Sequence, residues 1–289
     1  MRHIRPPARR SLRHYLVVIV ALFALTACSV ATLAYNNAGM LIGYALGDYV
    51  ELTPSQEAWL KERVSLLIAW HRTSELPEWQ RWLNETRERA AGNPQASEVQ
   101  AVYERGRMLL ERTTEQMLPD LATLLRQMEP RQIAFLQDKF ARDNRKIGAD
   151  IDLPPVARKA KRTERIKERF ESWMGDLTVE QHTYLLSRLA VLPPLEEMRL
   201  ADRIRWQRQL IELIKARPDA PVLRSELRRM MLAPETSRDP DYQAALNRQQ
   251  EEISTVTAWM VTNATPAQRA RLQRKLSGYA EDVASLLRT

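Results

Sequence analysis

The chain has one cysteine, eight glycines and four histidines in 289 residues, and each scarcity removes a class of explanation. A lone cysteine, Cys28, forms no intramolecular disulfide. The few glycines build no phosphate-cradling loop, and neither G-x-G-x-x-G nor G-x-S-x-G occurs. Only His71 and His182 follow Cys28, with no H-E-x-x-H and no Cys/His cluster at zinc spacing. No acidic loop has the pattern that holds calcium. Runs of β-branched residues are short, and none alternates between hairpin turns. A cofactor-binding or metal-dependent enzyme is therefore not indicated, and no cofactor is expected.

Leu, Ala, Arg, Glu and Gln dominate, and all are strong helix formers. Prolines at 54, 77, 130, 221, 240 and 266 stand where a first helical turn tolerates them. The expected fold is all-α, a multi-helix bundle of roughly ten to twelve helices. The segments are 30–48, 54–73, 77–91, 95–117, 119–127, 130–148, 154–174, 178–191, 194–216, 220–232, 240–262 and 265–288, with a possible subdivision near 150–155.

A helix-start signal recurs. Thr53-Pro-Ser-Gln56, Thr178-Val-Glu-Gln181 and Thr265-Pro-Ala-Gln268 each read T-x-x-Q, and Glu129-Pro-Arg-Gln132 is a looser copy. In a capping box the threonine hydroxyl accepts from the N–H three residues on, and the glutamine reaches back to the threonine N–H. Successive glutamines are not evenly spaced, so the boxes do not mark a solenoid. Leu52-Thr53-Pro54-Ser55-Gln56 and Leu177-Thr178-Val179-Glu180-Gln181 also resemble the L-T-x-x-Q motif of the Spy-type periplasmic chaperones. Five residues are matched each time, and helix capping explains them without kinship.

The amino terminus reads as three zones. Residues 1–14 are basic, and Tyr15 to Leu25 form an uninterrupted apolar run of eleven residues. As a helix that run rises only about 16 Å, too short for a hydrocarbon core of roughly 30 Å. Small residues follow, and the pattern is that of a secretory signal over 1–27. Leu25-Thr26-Ala27-Cys28 resembles the bacterial lipobox. The resemblance implies a diacylglyceryl group on the Cys28 thiol, cleavage before it, and a helical periplasmic domain over 28–289. Ser29, where an aspartate favours inner-membrane retention, leans the expectation to the outer membrane facing the periplasm. The signal holds five arginines and no acid, so the formal charge of +8 falls to 39 basic against 36 acidic side chains once it is removed. Nucleic acid is not an expected partner.

A broader likeness extends over nearly the whole chain. Tyr35-Asn36-Asn37-Ala38, Asp48-Tyr49-Val50-Glu51-Leu52, Trp70-His71-Arg72, Glu75-Leu76-Pro77, Leu118-Pro119-Asp120, Gln132-Ile133-x-x-Leu136, Trp173-x-Gly175-x-Leu177 and Arg203-x-x-Trp206-Gln207 follow in order. Together they resemble a family of uncharacterised lipoproteins of Gram-negative bacteria. The resemblance implies location and class and carries no activity.

Three local features are candidates for chemistry. His71, Arg72 and Glu75 form the densest polar group. His71 and Glu75 lie four apart on one helical face, as a binding site or as a network that fixes the corner before Pro77. Gly39, Gly43 and Gly47 give a bare stripe, for tight packing against a helix or for dipping into lipid. Residues 158–169 carry seven bases and two acids. Arg158, Arg162, Arg165 and Arg169 form a cationic stripe for anionic lipid or another envelope polyanion, with Ile166, Phe170 and Trp173 expected opposite, toward a core. The plainer alternative is a solvated face paired with Glu164 and Glu168. The function these features imply is that of a non-enzymatic envelope protein, structural or interacting, anchored by lipid to the membrane. A chaperone-like holdase is the alternative, and an enzyme with an unrecognised site is the weaker one.

Overall fold

A computed structural model describes residues 32–288; residues 1–31, and with them the signal and Cys28, lie outside the described residues, as does Thr289. Among the described residues the fold is all-α, with eleven α-helices and no strand. A helical stretch at 32–36 leads into α1 (Ala38–Gly47). Next come α2 (Pro54–Trp70), a π-helical turn (His71–Glu75), α3 (Leu76–Ala91), α4 (Ala96–Arg126) and α5 (Pro130–Ile151). The chain continues through α6 (Pro155–Met174), α7 (Val179–Ala190), α8 (Glu196–Ala216), α9 (Ala220–Leu232), α10 (Pro240–Thr262) and α11 (Pro266–Leu286).

Two boundaries differ from those the sequence predicts. Pro119 does not divide 95–127, because α4 runs straight through it. The missing proline N–H and the ring clash cost a helix interior about 3 kcal/mol. Against that, Leu118 and, one turn later, Ala122, Leu124 and Leu125 are all buried, so an interruption would expose apolar side chains. The corner before Pro77 is likewise no break. One widened turn passes the chain from α2 to α3, and Pro77 takes a first-turn position of α3.

The capping boxes do more than start helices. Thr53, Thr178 and Thr265 each accept from the N–H of the glutamine three residues on, at 3.2–3.3 Å. The glutamines accept in return from the cap N–H, as Gln132 does from Glu129. The four amides are also buried in two pairs. Gln181 and Gln268 donate to each other at 2.8 Å in both directions, and Gln56 and Gln132 do so at 3.4 and 2.7 Å. Every Nε2 also donates to the backbone carbonyl five residues before its partner glutamine. Gln56 reaches Gln127, Gln132 reaches Glu51, Gln181 reaches Asn263 and Gln268 reaches Asp176. Each amide thus spends two donors and two acceptor positions, the full satisfaction that burial demands. The first pair joins the starts of α2 and α5, and the second those of α7 and α11.

The apolar core falls into clusters around these clamps. One gathers Leu118, Ala122 and Leu125 of α4 with Ile133 and Leu136 of α5, Ile211 and Ile214 of α8, and Leu223 and Leu227 of α9. Asn144 of α5 ties this region to α8, donating to Gln207 at 2.7 Å and accepting from Arg203 at 3.0 Å. A second cluster brings Met174 of α6, Leu185 and Leu189 of α7, and Val256 and Met260 of α10 together. Gly175 ends α6 at φ +88, where a side chain would be strained and a Cβ would lie 3.5 Å from Arg271. Helices from both sides of 150–155 pack on one another: α8 on α5, α9 and α10 on α4, and α11 on α3.

Gln268→Leu leaves the Asp176 carbonyl and the Thr265 N–H without their partner and half-empties Gln181. At about 1–3 kcal/mol for each buried group left unpaired, it is expected to destabilise by about 3 kcal/mol. Adding Gln181→Leu should cost less than the sum of the two single changes, by about 0.5–3 kcal/mol of coupling. Urea denaturation of the four proteins checks this, and strict additivity would contradict the pairing.

Candidate functional site

Helices α3, α4, α6, α10 and α11 surround a cavity of about 1100 Å³. Its lining is mostly apolar. Trp79, Trp82 and Leu83 come from α3, Val99 and Val102 from α4, and Ile166, Phe170 and Trp173 from α6. Ile253 and Val261 of α10, with Leu272, Leu276, Tyr279 and Val283 of α11, complete the wall. Small-molecule sites run to roughly 300–1,000 Å³ with a few placed polar groups, so this cavity has the room of a large one.

The wall is built by aromatic packing. The Trp79 and Trp82 rings meet edge-on at 5.4 Å, and Trp173 lies 5.7 Å from Tyr279. Trp82 also donates its indole N–H to the Val102 carbonyl at 2.9 Å, which fastens α3 to α4. Gly106 permits the approach, because a Cβ there would come within 3.1 Å of the Trp82 ring.

Polar side chains interrupt the apolar lining. Asp282 of α11 is buried, and its Oδ1 has no hydrogen bond among the described residues. Burial, helped by the neighbouring Glu281 charge, pushes its carboxyl above the usual range. His71 and Tyr35 line the cavity together, with Nδ1 and the hydroxyl 3.0 Å apart. Burial holds the imidazole below its ordinary 6.5. It also raises the Tyr35 hydroxyl, against the opposing charge and hydrogen bond of Arg72.

The predicted polar group is thus split by the π turn, a device often found at functional sites. His71 faces the cavity. Arg72 donates to Asn36 at 2.9 Å and lies over the Tyr35 ring. Glu75 is wholly buried, with Arg112 of α4 at 2.8 Å and no hydrogen bond to either carboxylate oxygen among the described residues. The His71-Arg72-Tyr35-Asn36 contacts pin the chain before α1 to the corner.

The basic stripe is divided, with Arg165 and Arg169 exposed and the other two arginines paired. Arg158 pairs with Glu197 at 2.8 Å and Arg162 with Glu196 at 3.2 Å, both guanidinium groups largely covered. Arg162, Arg165 and Arg169 line the cavity together with Ile166, Phe170 and Trp173. The apolar residues are therefore beside the arginines rather than opposite them. At 100° per residue, 162, 166, 169 and 173 fall within about 60° of one another, so one face of α6 supplies both. Cys28 lies outside the described residues. The glycine stripe meets a neighbour only at Gly39, where a Cβ would touch Val64 of α2 at 3.8 Å; Gly43 and Gly47 have open space. α1 is held to α2 at one end of the stripe, not along it.

The sequence reading missed the cavity itself, and with it Trp79, Trp82, Arg199 and Asp282. The readable signal was the mixed Arg and apolar face of α6. No sequence pattern shows that α3 and α11, 190 residues apart, close the same space. Among the described residues no group of three or more His, Cys, Asp or Glu side chains is placed to hold a metal ion.

A family model described as a family of unknown function (DUF6279) matches residues 48–243. Neither the curated proteins nor the solved structures contain a match.

The depressed imidazole has a definite sign. As pH falls through 6.5, the unfolded chain takes up a proton that folded His71 refuses, so stability falls until the folded value is passed. Proton NMR titration of the His71 ring should give a midpoint below 6.5, and one at or above it would contradict the buried placement. Asp282 runs the other way: its charge is penalised in the fold above 3.8, so Asp282→Asn should stabilise the protein at pH 7. Urea denaturation at that pH checks it.

Proposed function

The chain belongs to that family of unknown function, and from there we propose that it is a lipid-anchored envelope protein that works by binding, with the cavity as the seat of its ligand. The observation that carries the binding role is the cavity of about 1100 Å³ with its apolar lining. No hydrogen bond among the described residues joins His71 or Asp282 to a Ser, Thr or Cys side chain, which weighs for binding over nucleophilic catalysis.

The anchor rests on Leu25-Thr26-Ala27-Cys28. Two or three acyl chains at Cys28 would anchor a protein stably where one chain binds only marginally. The surface beside that position agrees with a lipid neighbour. Leu33, Met40, Leu41 and Tyr44 are all exposed, at 64, 60, 49 and 73%, and their spacing puts them along one helical side. No helix among the described residues is long and apolar enough to cross a membrane. The expected seat is the outer membrane, facing the periplasm. A holdase would also use apolar surface edged with charge. The gathering of the lining into one cavity weighs for a small molecule over an unfolded chain.

Cys28→Ala should abolish labelling by a radioactive lipid precursor, and undiminished labelling would refute the anchor. For the cavity, the full chain should bind an environment-sensitive naphthylamine dye saturably. Thr257→Trp combined with Val283→Trp, which fills the cavity from α10 and α11, should weaken that binding at least tenfold. Equal binding by the filled variant would refute the cavity as the site.

A further inference from the structure

Resting on that reading, we propose that the cavity is the acyl-chain half of a site whose other half is formed by Arg165, Arg169 and Arg199, and that the ligand is an anionic amphiphile with at least one long chain. The case begins with the charges on the wall. Arg162 is occupied by Glu196, and Arg158 beside it by Glu197. The Glu98 carboxylate accepts from the Gln95 N–H at 2.8 Å as a helix cap. Arg89 of α3 is also on the wall and donates to the Glu98 carbonyl at 3.5 Å, which leaves Arg165, Arg169 and Arg199. All three line the cavity, all three are exposed, and none makes an ion pair within 4 Å among the described residues. Arg165 is felt at a distance by Asp150, whose own carboxylate is engaged by Lys161 at 2.7 Å.

Three exposed like charges at the edge of an apolar cavity give that edge a net positive potential. The carboxylates nearest them are engaged elsewhere: Glu196 by Arg162, Glu98 by the Gln95 N–H and Asp150 by Lys161. A third carboxyl on the wall, Asp282, is held toward its neutral form by burial. A ligand that brings its own anion supplies the missing charge, and the arginines suit it. Their planar forks bind carboxylate or phosphate through paired N–H groups, while their stems lie along the apolar surface. Ile166 and Phe170, interleaved with Arg165 and Arg169 on α6, lead from the head to the chain. A free fatty acid and an acidic phospholipid share this chemistry.

Three tryptophans on the wall, Trp79, Trp82 and Trp173, provide the readout, because bromine atoms quench indole fluorescence at contact. The full chain in a nonionic detergent is titrated with 9,10-dibromostearate, its methyl ester, and phosphatidic acid carrying dibrominated chains. The acid, the phosphatidic acid or both should quench saturably, and whichever binds identifies the source of the head group. The methyl ester, with the same chain and no charge, should need at least ten times more. Replacing Arg165, Arg169 and Arg199 together by Gln should raise the half-saturation of the anionic ligands at least tenfold and leave that of the ester unchanged. The same change at the exposed Arg131, Arg224 and Arg248, which lie off the cavity wall, should do neither. Equal binding of acid and ester, or equal weakening by the two triple variants, overturns the head-group assignment while leaving the cavity as a binding site. Absence of saturable quenching by every probe overturns the cavity reading itself, and this inference with it.

Discussion

The structure depends on buried side-chain amides that must be satisfied completely or not at all. A glutamine taken from water loses two donors and an oxygen with two acceptor positions, and each group left unpaired costs about 1–3 kcal/mol. Gln181 and Gln268 meet the demand by using each other, their own cap N–H groups, and a carbonyl of the partner's approach to its helix. Gln56 and Gln132 repeat the arrangement. Because every partner is specified, so is the register: a helix starting one residue earlier or later would strand the amide. Segments 76 and 87 residues apart are fixed against each other in this way.

The cavity follows from what these clamps position. The second clamp fixes α11 at its first turn, and α11 then runs along α3 and α6 with Leu272, Leu276 and Tyr279 inward. The wall opposite is aromatic and locked by the Trp82–Val102 hydrogen bond. Rings braced in this manner do not collapse to fill a void, so the space stays open at a cost in lost dispersion contacts. Polar satisfaction is complete at the clamps, whereas Asp282 on this wall has a carboxylate oxygen without a hydrogen bond among the described residues.

How legible all this is in the sequence depends on the range of the interaction. Local rules locate the helices, because caps, first-turn prolines and scarce glycine act within a few residues. They also identify Thr53, Thr178 and Thr265 as caps. They fail at Pro119, where burial of Leu118 and Ala122 overrides a local breaker, and at 71–75, where a widened turn carries the chain through a corner that reads as an end. The pairing of the four glutamines is invisible to them, since a capping box uses only half of each amide and nothing local says what the other half does. On α6 the arginines and the apolar residues were separately visible. At about 100° per residue Ile166 and Trp173 fall beside Arg162 and Arg169, so the mixed face is legible in the sequence. The cavity was beyond reach, because it exists only once α3, α6 and α11 are brought together.

The most direct measurement on the central claim is hydrogen exchange of the side-chain amides of Gln56, Gln132, Gln181 and Gln268, followed by NMR. Buried, doubly donating Nε2 groups exchange only when the structure around them opens. All four should therefore exchange orders of magnitude more slowly than exposed glutamine side chains, and the members of each pair should open together. Exchange at the rate of a free side chain, or different rates within one pair, would contradict the account.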